Sequence, residues 1–175
     1  MKTIVAILLF PVAALLAGDQ PGAITVTEQS AFTFYKPFKR LTKQPQYVAP
    51  LTAILCSLPS PASLEQEKAA TGPHYHAYVH IYANPLAVDA ASQKLEAFPA
   101  GAVIVKEKLG KDGSVIAVGG MIKRDAGFDA GNGDWEYFFA AKAGGFSAGR
   151  LENCIDCHGQ AKATDYVYSV RKLVK

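Results

Sequence analysis

Cysteine, methionine and long apolar runs are scarce in this sequence. The chain has 175 residues, of which three are cysteines and two are methionines. A zinc site built from cysteine pairs needs a second pair, and Cys56 stands alone beside Cys154 and Cys157, so such a site is excluded. After the N-terminal region, no stretch approaches the roughly eighteen apolar residues that a membrane-spanning helix requires. The sequence after that region therefore carries no signal for a membrane span.

Charge of either sign is also in short supply. Lys and Arg together number 18, against 15 Asp and Glu. If Lys2 is removed with an N-terminal leader, the excess of positive charge falls to two. A chain this close to neutrality lacks the basic surface that nucleic acids or anionic membranes attract, and neither is expected as a partner.

The N-terminus resembles a secretory signal. Lys2 supplies a positive start, residues 4–16 are apolar, and Ala17 is an acceptable residue before a cleavage point. The sequence therefore predicts a signal peptide at 1–17 and an exported, periplasmic protein, with an uncleaved anchor as the alternative. A lead-in at 18–34 and one domain at 35–175 are expected to follow.

The most informative motif lies near the C-terminus, in Cys154-Ile155-Asp156-Cys157-His158. The C-x-x-C-H pattern is the attachment signature of c-type haem. Cys154 and Cys157 would add to the two haem vinyl groups, and His158 would ligate the iron, which gives one covalent haem c per chain. A thioredoxin-like redox pair is disfavoured because no βαβ unit precedes the motif. Cys56, in an apolar stretch, is expected to be a buried thiol.

The pattern of apolar residues predicts an α+β fold made mostly of antiparallel sheet, with one or two helices and the C-terminal haem-binding C-x-x-C-H segment. Alternation of apolar and polar residues indicates strands, whereas Asn84-Pro85 is typical of a helix start. The expected strands are 76–83, 102–109, 114–123 and 135–140, with a hairpin turn at 110–113. The expected helices are 63–70, 86–98 and 154–162, while 18–31 and 164–170 are expected to be extended.

The ligand on the other side of the iron is not obvious from the sequence. Electron carriers commonly use methionine, but Met121 lies within a predicted strand and is expected to be a core residue. His74, His76 and His80 are expected to form a polar or half-buried face rather than to ligate iron. A five-coordinate iron with an open position is therefore expected, and a simple six-coordinate electron carrier remains the alternative.

Several blocks of the sequence together resemble the cytochrome P-460 family, which includes the cytochromes c-prime-beta. The resemblance covers roughly residues 35–170 and rests on the order of the blocks. The blocks are Gly72-Pro73-His74, Ile81-Tyr82-Ala83-Asn84-Pro85, the stretch from Phe98-Pro99 to Lys106-Glu107-Lys108, Gly133-Asp134-Trp135-Glu136-Tyr137, and the stretch from Cys154 to Tyr168.

This resemblance implies a β-rich, often dimeric fold with a high-spin haem c, which leaves a homodimer open. It implies either oxidation of hydroxylamine, with electrons passing to an unidentified redox partner, or binding of nitric oxide without catalysis. In the hydroxylamine-oxidising members a lysine is bonded to the porphyrin edge, and Lys106 matches that lysine. Strand alternation places Lys106 on an apolar face with Ala102 and Ile104. Lys108 is the weaker rival on the same face.

The remaining groups that such chemistry needs are less clear. A general base for hydroxylamine oxidation would be a carboxylate, but Glu107, Glu136 and Glu152 are each expected to be solvated. In the nitric-oxide-binding members an aromatic side chain crowds the open side of the haem. The candidates for that aromatic group are Phe32, Phe34, Phe38 and Tyr78, although for each of them a place in the core is the favoured role.

Overall fold

The computed structural model describes residues 24–48, 62, 65, 77–168 and 170–174. Several expectations lie outside these residues. They are the signal peptide at 1–17, the thiol of Cys56, most of the helix at 63–70, and the positions of His74 and His76.

An antiparallel sheet dominates the described part of the chain. Its path runs β1-β3-β4-β5-β6-β7, and β2 pairs with β3 on the same edge as β1. The strands are β1 (Lys39–Arg40), β2 (Gln46–Val48), β3 (Ala77–Ala83), β4 (Val103–Leu109), β5 (Val115–Lys123), β6 (Trp135–Ala141) and β7 (Phe146–Gly149). The expected α+β class, mostly antiparallel sheet with few helices, is confirmed.

The four predicted strands correspond to β3, β4, β5 and β6. The hairpin between β4 and β5 forms as expected, since Gly113 adopts the left-handed φ of +78° and the Gly110 amide donates to the Ser114 carbonyl at 2.8 Å. Aliphatic residues alternate along these strands, so each of the two faces of the sheet acquires its own apolar core.

The two faces of the sheet carry separate buried clusters. The first, which we call the helix face, includes Val79, Ile104, Met121 and Trp135. The second, which we call the N-terminal face, includes Tyr35, Val103, Val105, Val118 and Phe138. Consecutive residues of β4 therefore point to opposite cores. By the same alternation Lys106 points to the helix face and Glu107 points to the N-terminal face.

Helix α1 (Pro85–Ser92) follows β3 on the helix face. Its start was predicted correctly: the Asn84 side chain accepts a hydrogen bond from the Ala87 amide at 3.0 Å, and Pro85 occupies the first turn. Its predicted end at residue 98 is wrong. The helix ends at Ser92 and Lys94 adopts a left-handed φ of +56°, while Leu95 is 42% exposed.

The C-terminal region contains α2 (Glu152–Gly159), a 3-10 turn at Lys162–Thr164, and α3 (Val170–Leu173). The predicted helix at 154–162 therefore exists but begins earlier and ends earlier. The extended conformation predicted for 164–170 is wrong, because Asp165 and Tyr166 both adopt left-handed backbone angles. Tertiary contacts of these two residues, described below, override the β-favouring side chains of the segment.

The N-terminal segment packs on the N-terminal face of the sheet. The extended conformation predicted for 18–31 is wrong in its described part. Residues 28–37 form successive turns. Ala31 and Tyr35 are fully buried. No helix among the described residues is both long enough and apolar enough to cross a membrane.

Candidate haem-binding site

Helix α2 brings the three residues of the C-x-x-C-H motif to one side. Cys154 and Cys157 are three positions apart and Cys154 and His158 are four apart, so all three lie on one helix face. Leu151, Cys154 and Ile155 pack against the helix-face core, which holds α2 on the sheet. Both thiols are free, and burial, followed by the neighbouring Cys157, raises the pKa of the Cys154 thiol to about 11.

His158 is oriented by a backbone carbonyl. Its Nδ1 lies 2.6 Å from the carbonyl oxygen of Tyr166. A carbonyl can only accept, so Nδ1 carries the proton and Nε2 keeps its lone pair. This is the arrangement by which metal-binding histidines are usually positioned. Burial lowers the pKa of His158 to about 4, against the opposing effect of the Tyr166 bond and with a further contribution from Lys106.

A cavity of about 370 Å³ of empty space, partly open to solvent, lies between α2 and the helix face of the sheet. Two residues of the motif, Cys154 and His158, line it. The lining from the sheet is supplied by Ile104, Lys106, Gly119, Gly120, Met121, Tyr137 and Phe138.

Lys106 is the cationic residue of this lining. Its side chain is partly buried, and burial lowers the pKa of its ammonium group, an effect that Cys157 opposes. Lys106 makes no hydrogen bond or ion pair with any residue in the described ranges. An apolar setting without a partner increases the neutral, nucleophilic fraction of an amine. Lys108, two residues further along the same face of β4, is not among the lining residues.

Tyr137 contributes a buried hydroxyl that has no hydrogen-bond partner among the described residues. Its ring is 2% exposed and lies 5.2 Å from the His158 ring, centroid to centroid. The Tyr168 ring also lies near His158, with ring centroids 5.4 Å apart, but its hydroxyl donates to the Cys157 carbonyl at 2.7 Å. Buried hydroxyls without partners are uncommon in proteins. Apart from its strand alternation with Trp135, no sequence feature singled out Tyr137.

A second cavity, with about 610 Å³ of empty space, lies on the other side of Cys154. It is lined by Phe139, Ser147, Leu151, Asn153 and Cys154. Phe139 lies on the same face of β6 as Tyr137, and it pairs with Gly119 of β5. Because Gly119 has no side chain, the sheet leaves room between Lys106, its partner on β4, and Phe139.

These residues fit a covalently attached haem. The motif supplies two free thiols and an imidazole whose Nε2 can coordinate iron. The cavities flank Cys154 and are walled largely by apolar groups, as a macrocycle requires. The unpartnered Tyr137 hydroxyl and Lys106 amine provide two polar groups that a bound molecule can satisfy.

The aromatic residues that the sequence suggested for the open side of a haem do not reach these cavities. Phe32, Phe34 and Phe38 pack in the core of the N-terminal face, and Tyr78 is 53% exposed. The prediction that His80 lies on a polar or half-buried face is confirmed, because its Nδ1 lies 2.9 Å from the Thr42 hydroxyl. Among the described residues the aromatic side chains that line a cavity with Cys154 are instead Tyr137, Phe138 and Phe139.

The candidate carboxylates also lie elsewhere. Glu107, expected to be solvated, is instead 3% exposed and accepts hydrogen bonds from Tyr35 and Lys36 on the N-terminal face. Glu136 is paired with Arg124 and is 19% exposed. Glu152 is exposed, as expected. The described lining of the two cavities contains no carboxylate.

Met121 lies in the core, as expected, at 4% exposure. It also lines the same cavity as His158, which strand alternation alone did not reveal.

Comparison with known proteins agrees with this geometry. No curated protein matches the chain. The family model described as Cytochrome P460 matches residues 61–169, which is more than half of the chain and includes both Lys106 and the C-x-x-C-H motif. The expected resemblance is thereby confirmed, and a haem-binding cytochrome is supported. The chain belongs to the cytochrome P460 family.

Proposed function

We propose that this protein is an exported, periplasmic cytochrome with one haem c that oxidises hydroxylamine. Cys154 and Cys157 would form the thioether bonds to the haem, and His158 would ligate its iron. The observation that carries the proposal is the partly buried Lys106 amine, which has no partner among the described residues and lies in the cavity lined by Cys154 and His158. An ordinary electron carrier has no need of a desolvated lysine there.

His158 holds the haem from one side. Its Nδ1–H donates to the Tyr166 carbonyl, so Nε2 faces the metal with a fixed ring orientation and increased basicity. The rings of Tyr137 and Tyr168 both lie against the imidazole and limit its rotation. The same carbonyl bond that orients His158 would favour the ferric state.

Lys106 is the residue that bonds to the porphyrin edge. Formation of this carbon–nitrogen bond would release one proton from the amine and one from the porphyrin carbon, together with two electrons. The bond therefore requires a two-electron oxidant, for which a peroxide would serve. The lowered pKa of Lys106 favours the neutral amine from which the bond forms.

The haem would supply an iron with one open position, at which hydroxylamine binds and from which electrons pass to a separate redox partner. The chain contributes a site that is closed on one side by the sheet and partly open to solvent. The lost protons need an acceptor. No carboxylate takes this place in the described lining, and that observation favours a second candidate function.

The second candidate is binding of nitric oxide without catalysis. Binding of a neutral diatomic ligand needs no proton acceptor, and the aromatic Phe139 beside Cys154 suits an apolar ligand. A third candidate, electron transfer through a six-coordinate iron, gains support only from Met121, whose thioether lines the cavity with His158.

The optical spectrum of the purified protein separates these functions. The full chain is expressed in a host competent for cytochrome maturation, beside Lys106→Met and the matched control Lys108→Met, which removes a lysine from the same strand face. A ferrous Soret band strongly shifted to the red in the wild type and in the Lys108 variant, but not in the Lys106 variant, supports the cross-link.

Other outcomes contradict the proposal at different levels. An identical high-spin spectrum in all three proteins removes the role of Lys106, and tight nitric oxide binding then favours the second candidate. A low-spin spectrum that is lost in Met121→Leu favours electron transfer. A purified protein with the bare polypeptide mass would remove haem attachment altogether.

A further inference from the structure

Three groups from distant parts of the chain meet at Asp165. The Lys123 ammonium group lies 2.8 Å from both carboxylate oxygens. The Phe98 amide donates to one of these oxygens at 2.7 Å, and the Trp135 indole N–H donates to the backbone carbonyl of Asp165 at 2.9 Å. The Lys123 and Asp165 side chains are only 10% and 8% exposed. Asp165 is therefore held through both its side chain and its backbone.

These contacts hold a backbone conformation that the chain would otherwise avoid. Asp165 and Tyr166 have φ of +55° and +63°, a region that is unfavourable for residues other than glycine. Tyr166 is fixed in turn, since its hydroxyl donates to the Gly131 carbonyl at 2.9 Å. Its ring lies against Gly133, where an added Cβ would approach to 2.6 Å. Two consecutive residues keep such a strained backbone conformation only where contacts with the surrounding structure hold them in it.

The strained segment ends at the carbonyl that orients His158. The Tyr166 oxygen accepts the Nδ1–H of His158 at 2.6 Å. Its direction depends on the backbone angles of Asp165 and Tyr166, which Lys123 and Trp135 hold in place. No other hydrogen bond from a described residue is recorded for the His158 ring, so this carbonyl alone determines the tautomer within that part of the chain.

We propose that Lys123 and Asp165 form a positioning clamp that sets the His158–Tyr166 hydrogen bond and, through it, the reduction potential of the haem. This inference rests on the haem attachment proposed above and adds positioning residues for which the C-x-x-C-H motif gives no indication. A buried ion pair is often no more stabilising than apolar residues of similar volume. Fixing a carbonyl beside a metal ligand gives this pair a specific role.

The test compares two variants that change the charge in opposite directions. Asp165→Asn removes a negative charge and Lys123→Met removes a positive one. If the pair acted only through its electric field, the first change would raise the reduction potential and the second would lower it. If the pair acts as a clamp, both variants weaken the His158–Tyr166 bond, make the imidazole a poorer donor to ferric iron, and raise the potential.

We expect both variants to shift the ferric–ferrous equilibrium about tenfold toward the ferrous state, which is about 59 mV for one electron, since outer-shell changes typically alter metal sites by about 10–100-fold. The iron–histidine stretching frequency of the ferrous protein should fall in both. Trp135→Phe changes no charge but removes the bond to the Asp165 carbonyl, and it should shift the potential in the same direction. It keeps the test decisive if Asp165→Asn does not fold.

The chain offers a close control. Arg124 and Glu136 directly follow Lys123 and Trp135 in sequence and form an ion pair of their own. Glu136→Gln therefore removes a carboxylate from a paired site without touching Tyr166, and the potential should stay unchanged.

Potential shifts of opposite sign in the two clamp variants, or unchanged potentials in both, would overturn the clamp. Either result requires that the haem is bound, so it is distinct from failure of the proposed function, in which the wild type itself carries no haem.

Discussion

Replacing Glu107 by glutamine tests how the N-terminal segment is fastened to the sheet. One carboxylate oxygen accepts from the Tyr35 hydroxyl and from the Lys36 ammonium group, both at 2.5 Å. The other accepts from the Tyr82 hydroxyl at 3.0 Å. Glu107 is 3% exposed, so water cannot replace these donors. The glutamine amide keeps the shape of the side chain and removes its charge.

The size of the effect follows from the donors. Bonds to a charged group are stronger than neutral ones by roughly 1 kcal/mol each. The Lys36 bond is discounted to about half of this, because that side chain is 50% exposed. Relief of the buried charge offsets part of the loss. We therefore expect Glu107→Gln to lower the free energy of unfolding by about 1–2 kcal/mol at pH 7.

The pH dependence gives the sharper result. Burial works to raise the pKa of Glu107, but hydrogen bonds from Lys36, Tyr35 and Tyr82 outweigh it and lower the pKa below its ordinary value of 4.5. A carboxyl group with a lowered folded-state pKa stabilises the fold above its unfolded pKa. That stabilisation is lost as the pH falls through the folded-state pKa. The wild type and Glu107→Gln should therefore converge in stability as the pH falls below the folded-state pKa of Glu107.

Urea unfolding, followed by circular dichroism and by the fluorescence of the single tryptophan, Trp135, measures this difference. With a slope of about 2 kcal/mol/M, the variant should unfold at a urea concentration lower by about 0.5–1 M at pH 7. Glu28→Gln alters an exposed carboxylate and should stay within about 0.5 kcal/mol of the wild type. A loss in Glu107→Gln that is the same at pH 7 and pH 3 would refute the role given to the charge.

Two further predictions concern the sheet beside the cavity. In Gly120→Ala the new Cβ would lie 2.5 Å from the Phe138 ring, so we expect the free energy of unfolding, measured by chemical denaturation, to fall by about 1–3 kcal/mol. In the control Gly131→Ala, where nothing lies within 4 Å of the new Cβ, this free energy should fall by less. Equal decreases in the two variants would contradict overpacking at Gly120. Tyr137→Phe should destabilise the haem-loaded protein by about 0.5–1.5 kcal/mol if the Tyr137 hydroxyl finds an acceptor on the bound group. A gain in melting temperature would instead show that this hydroxyl stays unpaired. The matched control is Tyr168→Phe, which removes a hydroxyl that has a protein acceptor.

The central strands could be predicted because both of their faces are buried, which requires an apolar residue at most positions along them. In β4 each residue contacts one of two cores, and the alternation of Val103, Val105 and Ile104 is legible in the sequence. The short edge strands β1 and β7 were missed for the opposite reason. Their residues are mostly exposed, and pairing with a neighbour, rather than a pattern of their own, makes them strands.

The segment after the haem motif shows where local preference fails. Thr164, Tyr166 and Val167 favour extended structure, yet the chain turns through left-handed angles at Asp165 and Tyr166. The cause is the set of contacts that Asp165 makes with Phe98, Lys123 and Trp135, none of which is near it in sequence. A window of neighbouring residues cannot contain this information.

The face of Lys106 was predictable, but its surroundings were not. Alternation along β4 places the side chain on an apolar face, and that inference needs no partner. The aromatic residues near the cysteines were misjudged because the sequence does not say which face of the sheet the N-terminal segment covers. That segment carries Phe32, Phe34 and Phe38 to the face that lies away from His158. Phe139 of β6 lines the cavity beside Cys154 instead.

The contrast between Lys106 and Glu107 carries the argument for a bound group. These neighbours on β4 point to opposite faces, and burial disfavours the charged form of each. Glu107 has three donors that satisfy its charge, whereas Lys106 has no such partner in the described ranges. A side chain desolvated without compensation is expensive to keep. Its presence is accounted for if its partner is the molecule that Cys154 and His158 hold in the same cavity.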